Sequence, residues 1–355
     1  MSSPNHSVTS PRTLALFQKR IAGDDSLLQL AQLRFEQAGL GAEFYAGTPD
    51  ELERLWAFRP LMRPEAPVSV HLDRDLNVFE ERGRKLVLDF ATRFRGRLWG
   101  MVAHDRCEMT RRDYVLAIRE LAFRLEEMPD SPRLFVEYAA GLEPAQFAEF
   151  FERTRELERI SPCIDVGHVG IRTVRHAYSR AHPGEDVCTL NLRDQLLPEV
   201  IADVQEAVGS ALDVVLELIG ALGKLKKPLH FHLHDGHPLW ACSRAGLSDH
   251  MSFLNRVPIP LEHDSKRALD PMFGPSGLFK IITRSLEALG ADCLSFTLEV
   301  QPTEGRIPLG DAAYLVGHWR DTSNAERMNY WLSVLAENHQ LVASALQTPL
   351  RNQEY

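Results

Sequence analysis

The sequence predicts an α/β protein folded as a (β/α)8 barrel of the TIM type, with an irregular or missing first strand and long loops at its C-terminal face. Three observations predict it. Short β-rich runs alternate with amphipathic helical stretches, the pattern of βαβ units and a parallel sheet. The length, 355 residues, suits one such barrel with insertions. Several of the apolar runs also end in a carboxylate or an imidazole, the strand end where barrel enzymes keep their chemistry.

Seven runs read as strands: 41–46 (GAEFYA), 67–72 (PVSVHL), 98–104 (LWGMVAH), 132–138 (PRLFVEY), 161–166 (SPCIDV), 228–234 (PLHFHLH) and 293–300 (CLSFTLEV). Helical patterns lie between them. TPDELERL (48–55) opens on Thr48 as N-cap with Glu51 three residues on, a capping box. MTRRDYVLAIRELAFRLEE (109–127) sets Leu116, Ile118, Leu121, Ala122 and Leu125 near helical spacing. EPAQFAEFFERTRELERI (143–160) carries Pro144 near its start, where a helix tolerates proline. An eighth strand belongs first, within 11–40, yet SLLQLAQLRFEQAGL there reads as helix, so that strand is short or the barrel is irregular.

Two connections are long. Residues 169–227 hold two helices, the second strongly apolar (VIADVQEAVGSALDVVLELIGAL). Residues 236–290 are rich in Gly, Pro, Asp and His and read as a large loop over the barrel mouth. HWRDTSNAERMNYWLSVLAENHQLVASAL (318–346) reads as a closing helix that packs on the barrel or on a second subunit. The expected organisation is one barrel domain over 11–347 between loose tails at 1–10 and 348–355.

Hydrophobic residues make up 44% and charged residues 25%, so a large core can be buried. The net charge of -9 argues against a nucleic-acid partner, because a phosphate backbone calls for Lys and Arg. The five cysteines (Cys107, Cys163, Cys188, Cys242, Cys293) are scattered and odd in number, as in a reduced, cytoplasmic protein. No apolar run is long enough to span a bilayer, and the polar start MSSPNHSVTSPRT is no signal peptide.

The chemistry sits at the strand ends. LFVE ends in Glu137, CIDVGH in Asp165 and His168, and LSFTLE in Glu299. PLHFHLHD carries His230, His232, His234 and Asp235, SVHL carries His71, and GMVAHD carries His104 and Asp105. Side chains two apart share a strand face, so His230, His232 and His234 point the same way. A buried, unpaired polar group costs roughly 1–3 kcal/mol, and a divalent cation shared with carboxylates satisfies several at once. A lone buried carboxyl protonates, whereas a metal keeps it charged. Taken singly, each residue has a plainer reading: an ion-paired Glu, a hydrogen-bonded core His, or Asp165 as the N-cap of a helix. Four successive strands ending in Glu, Asp/His, His and Glu are what argue for a metal.

VEYAAG, CIDVGH, HFHLHD and TLEV, in that order, resemble the last four strands of the xylose-isomerase-like barrel superfamily. The resemblance covers 41–302 and is strongest over 132–302. That superfamily includes sugar and sugar-phosphate isomerases and epimerases, inosose and dehydroshikimate dehydratases, and endonuclease IV. The resemblance implies Glu137, Asp165, His232 and Glu299 as metal ligands, with His168 beside the metal contacting substrate or a second metal. The pattern His-x-x-Asp matches His232-Leu233-His234-Asp235, which sets His230 deeper in the barrel and His234 at its rim.

Mixed carboxylate and imidazole ligands suit Mn, Mg, Co, Fe or Zn. The leading expectation is a metal-dependent isomerase or epimerase, a dehydratase being a variant, acting on a small sugar or polyol, phosphorylated or not, through an enediolate. Glu137 and Glu299 would exchange the proton and His168 would bind a substrate oxygen. His71, His104, His234, Asp235, Arg74 and Trp240 are the candidate substrate-binding residues; Arg74 would hold a phosphate or carboxylate unless it is a surface ion pair, and Trp240 would stack on a sugar face unless it only packs. One alternative is a zinc phosphodiesterase resembling endonuclease IV, with His71 and His104 as extra ligands. Another is a catalytically silent barrel with a metabolite-binding role. Such barrels are often dimers or tetramers, which makes a homo-oligomer an open expectation.

Overall fold

The computed structural model describes residues 12–14, 25–57, 66–190, 198–238, 250, 252–253, 271–300 and 325–348. All seven strand runs of the sequence form parallel strands: β2 (Gly41–Tyr45), β3 (Val68–His71), β4 (Gly100–His104), β5 (Arg133–Glu137), β6 (Ile160–Asp165), β7 (Leu229–Leu233) and β8 (Leu294–Leu298). Together they make the wall of a nearly closed α/β barrel. A three-residue segment, β1 (Arg12–Leu14), lies between the first and last of them and pairs in parallel with both β2 and β8. The strand expected within 11–40 is thus short, and SLLQLAQLRFEQA is indeed helix, α1 (Asp25–Ala38).

Strand alternation sorts the side chains. One set, including Phe44, Val70, Met101, Leu134, Ile164, Phe231 and Phe296, belongs to the main apolar core. The other set turns into the barrel. There Val102, Phe135 and Cys163 form a small apolar cluster of their own. Around them Glu43, Ser69, His230, Ser295 and Thr297 are buried and bonded to one another. A barrel interior is usually filled by branched apolar residues.

The helices alternate with the strands as βαβ units require. In α2 (Pro49–Trp56), Thr48 caps as expected, its Oγ1 accepting from Glu51 N at 3.2 Å. The return arm of the box differs: Glu51 Oε2 accepts from Gly47 N at 2.9 Å, not from Thr48. After α3 (Glu81–Phe94), the 109–127 pattern splits into a 3-10 turn (Cys107–Thr110) and α4 (Arg112–Glu126). Ile118, Leu121, Ala122 and Leu125 are buried, but Leu116 is 56% exposed and lies off the apolar stripe. α5 (Pro144–Arg153) starts at Pro144 and stops well short of residue 160. The long connection after β6 holds α6 (Val166–Ala181) and then two further helices, because the apolar stretch breaks at Gly209-Ser210 into α7 (Pro198–Val208) and α8 (Ala211–Gly223). The second long connection ends in α9 (Gly274–Leu289). α10 (Ala325–Gln347) packs on α1, α9 and β8, so the closing helix lies on its own barrel. The expected tails fall at 1–10 and, past Thr348, at 349–355, outside the described residues. None of the described helices is long and apolar enough to cross a membrane.

Candidate metal centre

The strand ends bring the expected quartet together. Glu137 closes β5 and Asp165 closes β6, level with His232 on β7; Glu299 follows β8 directly. Glu137, Asp165, His232 and Glu299 are all buried, and one ligand atom from each lies within 4.8 Å of the others.

His232 decides whether this set suits a cation. Its Nε2 donates to Glu43 Oε1 at 3.0 Å, across the barrel from β7 to β2. That bond leaves Nδ1 as the nitrogen that could ligate a cation, its ring oriented by a carboxylate as metal-binding histidines usually are. Nδ1 is buried, 3.0 Å from Glu299 Oε2 and 3.5 Å from Glu137 Oε1, and has hydrogen-bond geometry to neither. An imidazole nitrogen and three carboxylates converging on one point, with a buried nitrogen lacking a hydrogen-bond partner, fit a divalent cation.

Two further donor groups share carboxylates with the quartet. His71, His104 and Glu137 form one, and Asp165, His234, His250 and Glu299 the other. The same orienting device recurs in both. His71 donates Nδ1–H to Leu72 O at 2.8 Å and turns Nε2 to Glu137 Oε2 at 2.8 Å. His234 donates Nδ1–H to Asp235 O at 3.2 Å and turns Nε2 to Asp165, 2.8 and 2.9 Å from its two oxygens. His104 Nε2 stands 3.4 Å from Glu137, and His250 Nε2 3.3 Å from Glu299 Oε1, stacked on His234 at 4.3 Å.

The electrostatics follow from this crowding. Burial pushes Glu137 and Glu299 up, but the surrounding histidines, led by His232 for Glu137 and His250 for Glu299, outweigh it and hold both carboxyls well below the usual range. Burial pushes His104 down to about 4 despite Glu137 beside it, so its ring is neutral at neutral pH.

Asp165 carries both roles that its sequence allows. It is the N-cap of α6, its Oδ1 accepting from His168 N at 2.7 Å, and it belongs to the quartet. His168 lies beside the centre as expected, Nδ1 3.3 Å from Asp165 Oδ2 and 3.7 Å from Glu137 Oε1. Its Nε2 is buried without a hydrogen-bond partner.

Other candidates sit elsewhere. His230 is deeper in the barrel, its Nε2 on Glu43 at 3.0 Å and its Nδ1 against Ser295 Oγ at 2.6 Å, a satisfied core histidine. His234 is fully buried against Asp165, not at the rim. Asp235 is fully buried, its oxygens accepting from Gly236 N, Phe273 N and Gly274 N, which ties β7 to the start of α9. These bonds give it a structural role beside the expected substrate-binding one. Arg74 is exposed in the loop after β3, its backbone N donating to Tyr45 OH at 3.1 Å while Tyr45 stacks on His71 at 4.9 Å. Trp240 lies outside the described residues.

Two residues of the centre escaped the sequence. Glu43 accepts from Ser69, His230 and Thr297 on Oε2 and from His232 on Oε1. Burial works against its charge, but His232 and His230 overcome that and hold the carboxyl well below its ordinary range. The signal was one charged residue in the middle of GAEFYA, a strand whose two faces are both buried. His250 sits in the long loop, where no periodicity marks it. No protein-family model matches the chain, and a search of curated proteins finds none similar to it.

Proposed function

We propose that this chain is a divalent-metal enzyme that removes a carbon-bound proton from a small hydroxylated carbonyl compound and returns it to the neighbouring carbon, as an isomerase, or to the other face of the same carbon, as an epimerase. The buried quartet Glu137, Asp165, His232 and Glu299 carries the reading. It agrees with the resemblance of β5–β8 to the xylose-isomerase-like barrels. Bound there, a divalent cation supplies a Lewis acid for a substrate carbonyl and its neighbouring hydroxyl. The two glutamates flank His232 Nδ1 from different strands, which suits them to removing a proton and returning it. His168 and the neutral ring of His104 stand beside Glu137, 3.7 and 3.4 Å from it, as groups for substrate oxygens. A cleft of about 280 Å³, lined by His104 and His168 among others, opens beside the centre and suits a small metabolite better than a polymer. Wash-in of solvent deuterium at a carbon-bound position, screened across aldoses, ketoses and their phosphates with Mn²⁺, Co²⁺ or Zn²⁺ added, tests the reaction. Exchange lost in Glu137→Gln or Glu299→Gln supports it. Absence of exchange with every compound, in protein shown to hold metal, rejects it.

One observation favours a second reading, hydrolysis of a phosphoester at two or three metals. The groups around His71–His104 and His234–His250 share Glu137, Asp165 and Glu299 with the quartet, as ligands bridging neighbouring ions do. Two or three metals per chain, with hydrolysis of a simple phosphodiester, would select it.

A further inference from the structure

The cleft beside the centre is lined by four arginines as well as by His104 and His168. Their guanidinium groups are spent unequally. Arg175 is held by both oxygens of Asp186, at 3.1 and 2.6 Å. Among the described residues the Arg106 guanidinium bonds to main-chain carbonyls, those of Arg74 and Leu76, and to no carboxylate, so it brings its charge into the cleft. Arg172 turns one terminal nitrogen to Glu143, but its Nε is buried with no hydrogen-bond partner. Arg74, exposed at the cleft, makes no side-chain hydrogen bond or ion pair among the described residues. Two acids face the same space. Asp75 is at the rim; Asp105 is buried, its oxygens accepting from Ala139 N, Gly141 N and Leu142 N.

The cleft therefore keeps polar groups that have no hydrogen-bond partner among the described residues. His168 donates Nδ1–H to Tyr138 O at 3.3 Å, which leaves Nε2 a buried acceptor without a partner, suited to a substrate hydroxyl. The cleft's unused donors are Arg172 Nε and the whole fork of Arg74. The backbone of Arg74 is held relative to the centre through the Tyr45 that stacks against His71. A buried donor such as Arg172 Nε costs energy until something accepts from it, and a guanidinium fork such as that of Arg74 matches the two oxygens of a carboxylate or phosphate.

We infer that this cleft binds an oxyanion, the carboxylate or phosphate group of the substrate, through Arg74 and Arg172, with the reacting end of the molecule turned to His104 and His168. That orientation rests on the proposed metal centre; the anion site itself does not. The substrate would then be an acid or a phosphate ester rather than a neutral polyol.

Calorimetric titration of the full-length protein with inorganic phosphate and with malonate, before and after chelation, tests this. At least one anion should bind in both states, and the tighter of the two identifies the group. Arg74→Gln and Arg172→Gln should each weaken it roughly tenfold, the loss of one charged hydrogen bond, with metal content unchanged. Arg74 is exposed, so its variant stays folded if Arg172→Gln does not. Glu299→Gln should lose metal and keep anion binding. Binding of neither anion, or binding unaffected by both arginine substitutions, overturns the inference and leaves the metal centre standing. Weakened anion binding in a protein that never holds metal supports the cleft and removes the metal centre instead.

Discussion

Glu43 on β2 grips His232 on β7 across the barrel, Oε1 to Nε2 at 3.0 Å, and the same carboxylate takes three more hydrogen bonds through Oε2. It makes no contact with the quartet's carboxylates in these bonds, yet it fixes which nitrogen of His232 faces them. Glu43→Gln must set an amide NH2 against one of four donors. Metal affinity should fall roughly 10–100-fold, the usual cost of losing an outer-shell partner. Competition against a chelator of known affinity measures it; an unchanged affinity would mean that His232 is not a ligand.

Asp165 should separate its two roles by substitution. Asp165→Asn keeps an oxygen to accept from His168 N, and Asp165→Ala does not. Both should lose metal. Only the alanine variant should also lose the cap, making it less stable than the asparagine variant by about 1 kcal/mol in denaturant unfolding. Equal stability would show that the cap contributes nothing.

Asp235 is bound to the start of α9, so Asp235→Ala should unfold at lower denaturant, by about 1–3 kcal/mol, with metal content as in the parent protein. Retained stability with a lost substrate affinity would leave Asp235 only its binding role.

His237 is fully buried beside Gln205 Nε2 at 3.2 Å, and burial pushes it down to about 3. Its folded value lies below its unfolded one, so as pH falls the unfolded chain takes up the proton first. Stability tied to a neutral His237 is complete above about pH 6.5 and is lost progressively below it, by up to about 1.4 kcal/mol per pH unit. Denaturant titrations at several pH values between 7 and 4 should show a shallower fall for His237→Gln than for the parent. Parallel curves would contradict the assignment.

Much of the centre was legible because strand ends are legible. Glu137, Asp165 and Glu299 each close an apolar run, and such runs end at one mouth in a parallel barrel. Glu43 was not, because its meaning depends on β7 standing opposite, and its partners are 187 and 189 residues away in sequence. His250 and Arg172 were hidden for related reasons: one lies in a loop without periodicity, and the other reads as an ordinary polar position on α6. Helix breaks were hard to read where composition hid them. VIADVQEAVGSALDVVLELIGAL is apolar throughout, and only Gly209-Ser210 marks the turn between α7 and α8. β1 is three residues long, too short for alternation to be visible. Leu116 followed the helical spacing and still faces outward, since the stripe that packs is set by its neighbours Ile118, Leu121, Ala122 and Leu125.

The central claim is that Glu137, Asp165, His232 and Glu299 hold a divalent cation, and elemental analysis of purified protein beside Glu137→Ala and Glu299→Ala tests it most directly. The account predicts about one tightly held metal per chain, lost in both variants. Protein that binds no Mn²⁺, Co²⁺ or Zn²⁺ after reconstitution would contradict it and leave a barrel whose buried carboxylates are held by histidines alone.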